Sequence, residues 1–303
     1  MTCYHPRQAF LSDKPNADGK KHVSFNPTPG HKSFLLPCGG CLGCRLDRSR
    51  EWAIRAMHEA QLHEFKCFLT LTYDDDHLPE ERTLVKKHFQ IFMKELRRHK
   101  QFAGIKIKYF MCGEYGEQTL RPHYHALIYG IDFPDKKLYS NRSGNRLFTS
   151  ALLDKIWSRG ECKIGALTFQ SAAYVARYTL QKTGKKFPGG HYRLINKDTG
   201  ETHDVLPEYG QASLRPAIGH DWYLKYSSDI HNSDSAVIGG KEFKPPRYYD
   251  KLQKRHDPEN YARIKNARME KQEANSWNST PERLRVRETV KKSQTTHIKR
   301  QSL

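Results

Sequence analysis

Between Lys66 and Lys182 the spacing of the apolar residues changes several times, and that order of periods restricts the fold more than any other feature. Lys66 to Tyr73 is β-branched and aromatic and reads as a buried strand, ended by Asp74, Asp75 and Asp76. From Leu84 to His99 the residues Val85, Phe89, Phe92, Met93 and Leu96 recur at helical spacing, with Lys and Arg on the other side. Ile105, Ile107, Tyr109 and Met111 then alternate with Lys106 and Lys108 in a strand to Cys112. After a Gly113-Glu114-Tyr115-Gly116 turn, a second strand runs from His123 to Ile131. A short helix at 151–157, a short strand at 163–168 and a helix at 171–182 follow. Consecutive strands among helices imply an α+β fold, with helices packed on an antiparallel sheet.

The flanks read differently. Residues 1–46 form an irregular Cys/Gly-rich arm, and Asp47 or Ser49 can cap a helix through His63 that opens the core of 47–183. Residues 184–303 form a basic, partly disordered C-terminal region. Its stretch 184–240 has no sustained period. From Lys241 to Leu303 there are 17 Lys and Arg against 8 Asp and Glu, the pattern of a solvated mobile tail with a helical segment at 257–273.

The whole chain of 303 residues carries 52 Lys and Arg against 33 Asp and Glu, a net charge of +19. Lysine and arginine displace counterions from a phosphate backbone, so this surplus points to a nucleic acid partner. No run of ~18 apolar residues is present, which argues against a membrane span. The N-terminus shows no secretory signal. Seven cysteines, three of them in Cys38-Gly39-Gly40-Cys41-Leu42-Gly43-Cys44, are too few and too clustered for a secreted disulfide scaffold. A reducing cytoplasm is the expected compartment. Cys38, Cys41 and Cys44, with Cys3 as a fourth thiolate, can make a closed structural Zn²⁺ site. An iron–sulfur cluster uses similar spacings, and three reduced cysteines in a Gly-rich loop are the plain alternative.

In His123-Tyr124-His125 the strand period of 2 puts both imidazoles on one face, where they can share an ion. Glu114 sits at the end of the neighbouring strand and can return beside them. Three such ligands leave positions open for a scissile phosphate. The mixed set suits Mg²⁺ or Mn²⁺, with Zn²⁺ also compatible by ligand type. Tyr174 and Tyr178 are at i and i+4 on a helix, with Lys182 one turn on. A phenol of pKa about 10 needs help to attack phosphorus. Arg177 and Lys182 can favour the phenolate, and a metal can make the phosphorus more electrophilic. Each motif alone also fits ordinary packing.

Their order is more specific. Phe68-Leu69-Thr70-Leu71-Thr72-Tyr73, Arg121-Pro122-His123-Tyr124-His125-Ala126-Leu127-Ile128 and Tyr174-Val175-Ala176-Arg177-Tyr178 resemble the three motifs of the HUH endonucleases that initiate rolling-circle replication. With the cysteine-led segment running into Arg45-Leu46-Asp47-Arg48-Ser49-Arg50-Glu51-Trp52-Ala53, the chain is similar to the replication initiators of gokushovirus-type microviruses, which are single-stranded DNA phages. The resemblance covers residues 3–183. It implies a five-stranded antiparallel sheet with flanking helices, His123, His125 and Glu114 as metal ligands, and Tyr174 and Tyr178 as alternating nucleophiles. The family's lysine three residues after each tyrosine is here Arg177 and Gln181. The implied reaction is a nick in single-stranded DNA at the viral origin, with tyrosine joined to the 5′ phosphate, the 3′ hydroxyl priming a host polymerase, and a host helicase unwinding ahead. A second cut and rejoining would release circles. Arg121, Arg177, Lys185 and Lys186 are the expected DNA contacts, in the cytoplasm of a bacterial host. The rival readings are a non-catalytic single-stranded DNA-binding or packaging protein and a metal hydrolase acting through water.

Overall fold

The structure, a computed structural model, describes residues 2–17, 19, 21–27, 29–116, 118–142, 144–181, 192–195 and 200–296, without the side chains at 178–181, 194–195 and 296. The chain forms two compact units, Met1–Arg48 with Asp257–Leu303, and Ser49–His256. The N-terminal arm, expected to be irregular, is a small antiparallel sheet. Its strands are β1 (Arg7–Pro15), β2 (Lys21–Ser24) and β3 (Lys32–Leu36), with β1 in the middle. These strands are largely exposed, so they lack the apolar alternation that would reveal them in the sequence. Helix α1 (Leu42–Gln61) starts five residues before Asp47, inside the cysteine segment.

Residues 49–256 are built on one antiparallel sheet. After β4 (Lys66–Leu71) come α2 (Lys86–Arg98), β5 (Lys108–Tyr115), β6 (Pro122–Tyr129), β7 (Lys137–Arg142) and β8 (Asn145–Thr149). Then follow α3 (Ala151–Trp157), β9 (Cys162–Gly165), α4 (Phe169–Gln181), β10 (Arg193–Ile195), β11 (Thr202–Asp204) and β12 (Tyr209–Ala212). The unit closes with α5 (His220–His231), β13 (Ala236–Ile238), β14 (Lys241–Phe243) and α6 (Arg247–His256). The α+β class is as expected. The sheet has seven strands rather than five, in the order β12-β5-β6-β4-β9-β8-β7. The additions are edge elements, the β7–β8 hairpin and β12, whose half-exposed residues carry little periodic signal.

Alternation along the central strands divides the core. Leu69, Leu71, Met111, Tyr124, Ala126 and Ile128 pack on one face against Phe89, Phe92, Met93 and Leu96 of α2 and Leu153 and Trp157 of α3. On the other face, Phe68, Phe110, Cys112, Leu127 and Tyr129 meet Ala53, Ala56 and Ala60 of α1 and Ala172, Val175 and Ala176 of α4. The alanines let both helix backbones come close to the aromatic sheet residues. Ile54, on another side of α1, packs with Trp222, Tyr223 and Ile230 of α5 and Tyr249 and Leu252 of α6. A buried ion pair ties these layers. Lys108 Nζ lies 2.8 Å from Glu59 Oε1 and 2.9 Å from Asp221 Oδ2, while Glu59 Oε2 accepts the Gly219 N–H at 2.8 Å. These partners satisfy charges that would otherwise be costly to bury.

The stretch expected as a mobile tail is helical in its described residues. Helix α7 (Pro258–Ala274) is capped by Asp257, whose side chain accepts the Asn260 N–H at 3.0 Å, and α8 (Pro281–Thr296) follows. In the same unit as the N-terminal sheet, His5 Nε2 lies 2.7 Å from Glu288 Oε2 on α8. No helix among the described residues is long and apolar enough to cross a membrane.

Candidate active site

The hairpin of β5 and β6 creates the site through its register. The turn expected at 113–116 lies later, because β5 continues to Tyr115 and the reversal occupies residues 116–121. Glu114 is therefore a strand residue directly opposite His123, and Cys112 is opposite His125. Residues i and i+2 of one strand and the residue across from them share a face. Glu114 Oε1 consequently lies 2.9 Å from His123 Nε2 and 3.1 Å from His125 Nε2. Tyr124, between the histidines, points the opposite way into the core. Its hydroxyl donates to the Val85 carbonyl at 2.8 Å and accepts the Val85 N–H at 3.1 Å.

The outer nitrogens determine what the inner ones can do. His123 Nδ1 lies 3.2 Å from the Arg121 carbonyl oxygen, which can only accept, so Nδ1 carries the hydrogen. His125 Nδ1 lies 3.0 Å from Thr70 Oγ1 on β4, and its ring stacks on Phe68. With Nδ1–H so placed, both Nε2 atoms direct lone pairs at the Glu114 carboxylate in the neutral tautomer. Burial disfavours the charged form of His125 and lowers its pKa, with Glu114 acting against that shift. Burial would raise the pKa of Glu114, but hydrogen bonds from His123 and His125, and their charge, pull it down to about 2. Glu114 Oε2 is buried with no hydrogen-bond partner in the structure.

Three acceptors facing one point, with a carboxylate oxygen left over, make a donor set for a cation. The three ligand atoms lie within 4.8 Å of one another. Bonds of ~2.1 Å at right angles would set neighbouring donors ~3 Å apart, as the His–Glu separations are. Thr70 then acts as an outer partner that fixes the His125 tautomer. Thr70→Val should weaken Mn²⁺ binding about 10- to 100-fold while the fold melts nearly as before. Calorimetric titration showing unchanged affinity would remove Thr70 from the site. Thr70 carries no motif of its own in the sequence, and only its pairing with His125 reveals it.

Helix α4 brings in the tyrosine. Thr168 and Ser171 cap its start reciprocally, Ser171 N–H to Thr168 Oγ1 at 3.2 Å and Thr168 N–H to Ser171 Oγ at 2.8 Å. Ala172, Val175 and Ala176 are fully buried, which orients the half-buried Tyr174 toward the histidines. Its hydroxyl donates to Glu114 Oε1 at 2.5 Å, and its ring meets the His125 ring edge-on at 5.0 Å. Arg177 is half-buried on the same helix. The side chain of Tyr178, and Lys182, Lys185 and Lys186 entirely, lie outside the described residues. Arg121 bonds within the protein, Nη1 to Asp75 Oδ1 at 2.5 Å and Nη2 to the Tyr73 carbonyl at 3.0 Å.

A second cluster lies in the N-terminal unit. Cys38 and Cys41 precede α1, Cys44 lies in its first turn, and Cys3 comes from the arm, with all four sulfurs within 4.8 Å of one another. All four are free thiols. The Cys38 N–H donates to Cys3 Sγ at 3.2 Å, the Cys41 N–H to Cys38 Sγ at 3.3 Å and the Tyr4 N–H to Cys41 Sγ at 3.4 Å. Burial works to raise the Cys41 pKa, but the backbone N–H groups of Cys44 and Tyr4 and the neighbouring thiols outweigh it, leaving it at about 6. The Cys3–Cys41 sulfur separation of 3.9 Å matches the ~3.8 Å edge of a tetrahedron with ~2.3 Å zinc–sulfur bonds. Gly43 is required for this approach, since a Cβ there would fall 1.8 Å from the Thr2 carbonyl oxygen.

Comparison with known proteins bears on both clusters. Residues 66–183 match the family model of the replication-associated protein ORF2. The chain is 36% identical over 237 residues to replication-associated protein VP4 of Bdellovibrio phage phiMH2K, covering 76% of this chain and 70% of that one. It is 32% identical over 273 residues to replication-associated protein ORF2 of Spiroplasma virus 4, covering 84% and 81%. Replication-associated protein ORF4 of Chlamydia phage 1 is 30% identical over 226 residues, covering 73% and 54%. No solved structure matches. The matched segment holds the strands and helix that assemble Glu114, His123, His125 and Tyr174, and the similarity to the phage proteins reaches well beyond it, so the chain belongs to the family of replication-associated proteins of gokushovirus-type microviruses.

Proposed function

We propose that the chain is a replication initiator of HUH endonuclease type that nicks single-stranded DNA at the viral origin by tyrosine attack. The observation that carries this reading is the convergence of His123, His125, Glu114 and the Tyr174 hydroxyl on one point. His123, His125 and Glu114 hold Mg²⁺ or Mn²⁺, which when bound supplies Lewis acidity to a scissile phosphate. Glu114, held ionised, orients the Tyr174 hydroxyl through its hydrogen bond and is too weak a base to retain the proton. The Tyr174 oxygen forms a bond to phosphorus, the bond from phosphorus to the 3′ oxygen breaks, and that oxygen leaves as a hydroxyl. The phenolic proton goes to solvent.

The product is a 5′-phosphotyrosine that keeps the ester energy, so the step reverses and strands can be rejoined into circles. Tyr178, one helical turn on, is the second nucleophile, and Lys182 is its helper cation. Arg121, Arg177, Lys185 and Lys186 contact DNA, with Arg121 also holding the loop at Asp75. The endonuclease core is residues 47–183, with the cysteine arm holding structural Zn²⁺ and residues 184–303 as a basic extension. The 3′ hydroxyl primes a host DNA polymerase behind a host helicase in the bacterial cytoplasm.

Incubation with origin single strand and Mn²⁺ should yield a protein–DNA adduct that survives boiling in detergent. Tyr174→Phe with Tyr178→Phe should abolish it, and mass spectrometry should locate the nucleotide on these residues. An equal yield from the double variant would refute the tyrosine mechanism. Cleavage without attached protein would point to hydrolysis by water, and binding without cleavage to a DNA-coating or packaging protein.

A further inference from the structure

The sheet face that carries the metal cluster continues past it toward a basic hairpin that the proposed chemistry does not use. His125, Thr70 and Lys163 are direct partners across β6, β4 and β9, so their side chains share a face. Two strand spacings, ~10 Å, separate the first from the last. Lys163 Nζ lies 4.0 Å from the centre of the Tyr139 ring on β7. Tyr139 is there because of a bulge. Leu138 pairs with Phe148 and Ser140 with Leu147, which leaves Tyr139 as the extra residue on its strand. Phe148 turns to the α2–α3 core, and the bulge turns Tyr139 to the Lys163 side.

The ring is 61% exposed, an unusual place for a tyrosine whose contact is a cation. The hairpin from Lys137 to Thr149 carries Lys137, Arg142 and Arg146, all exposed, and no Asp or Glu. An exposed aromatic face beside ammonium and guanidinium groups is the combination by which proteins hold single strands, the ring stacking a base and the cations tracking phosphates. A duplex would not offer its base faces to the ring.

We propose that Tyr139 and Lys163, with the β7–β8 hairpin, form a single-stranded DNA subsite on the sheet face that holds His125. A base stacks on the open side of the Tyr139 ring, and a phosphate of the same segment seats against Lys163. The subsite rests on the single-stranded substrate proposed above. It fixes the strand a few nucleotides from the nick, and because every base has a face to stack, it sets position along the strand rather than reading sequence.

Binding of the full chain to a short fluorescein-labelled single strand of mixed sequence carrying 5-iodouracil tests this. Fluorescence anisotropy should show Tyr139→Ala weaker by about tenfold or more, with Tyr139→Trp retaining wild-type affinity. Lys163→Gln should weaken binding and lower the salt slope by about one phosphate. Irradiation should crosslink the iodouracil to Tyr139. Unchanged affinity for Tyr139→Ala, equal losses for the Ala and Trp variants, or crosslinks absent from the hairpin would each overturn the subsite. A wild-type chain that binds the strand but forms no covalent adduct would remove the nicking reading alone, and the same affinity ratios would still decide the subsite. A wild-type chain that binds no single strand would overturn both.

Discussion

Glu114→Ala should abolish strand cleavage, with a loss on the order of 10³-fold or more in the rate of adduct formation. The carboxylate has two functions that no neighbour can take over. It supplies the only negative charge in a set otherwise made of two imidazoles, and it accepts the Tyr174 hydroxyl at 2.5 Å. A metal's charge stabilisation is worth several kcal/mol, and each ~1.4 kcal/mol is tenfold in rate. The residue is fully enclosed between β6 and α4, so Glu114→Gln is the more informative partner. It keeps the shape and one acceptor oxygen but loses the charge. Mn²⁺ affinity by calorimetry should fall for both variants, whereas affinity for single-stranded DNA, carried by Lys and Arg elsewhere, should stay close to wild type. Cleavage that persists in Glu114→Gln at wild-type rate would show that no cation is held there.

The second large effect belongs to the cysteine cluster. The purified chain should carry one Zn²⁺, and Cys3→Ser should lose it together with the order of residues 1–48. The reason is that four thiols around one point give the arm little reason to stay closed without an ion. Three of these cysteines lie in or next to the first turn of α1, while Cys3 lies 35 residues before Cys38 and must be brought back. Structural zinc contributes apparent free energies of ~10–16 kcal/mol in small domains, more than an exposed three-stranded sheet could supply by burial. Metal analysis together with limited proteolysis would check this. Cys67→Ala is the control, since Cys67 lies in the sheet core, far from any ligand set. Visible absorbance from iron, or full protection of the arm in metal-free protein, would refute the zinc assignment.

Strand β4 and helix α2 were legible because both are buried on a regular face, and burial writes a period into the sequence. The His123 and His125 pair was legible for the same reason. Glu114 was foreseen at the end of its strand, although the turn falls three residues later than its glycines suggest, because β5 and β6 keep exchanging hydrogen bonds up to Tyr115 and Pro122. The β1–β3 sheet, the β7–β8 hairpin and β12 left no comparable trace. Their residues are exposed on one or both sides, so side-chain chemistry there is not constrained by packing. Strand β12 joins the sheet edge nearly a hundred residues after its partner β5, a pairing stabilised by backbone groups that are alike in every residue.

The sequence by itself determined which side chains could act, because spacing within one strand or one helix decides the face on which each residue stands. That much follows from backbone geometry over a few residues. It could not determine which of those faces meet. The register of β5 against β6, the pairing that gives His125 its Thr70 partner, the packing of α4 that carries Tyr174 to Glu114, and the bulge that turns Tyr139 toward Lys163 all depend on contacts between distant segments. Only the tertiary structure decided them, since the free energy that selects such contacts comes from burying both partners at once and is not encoded in either segment alone.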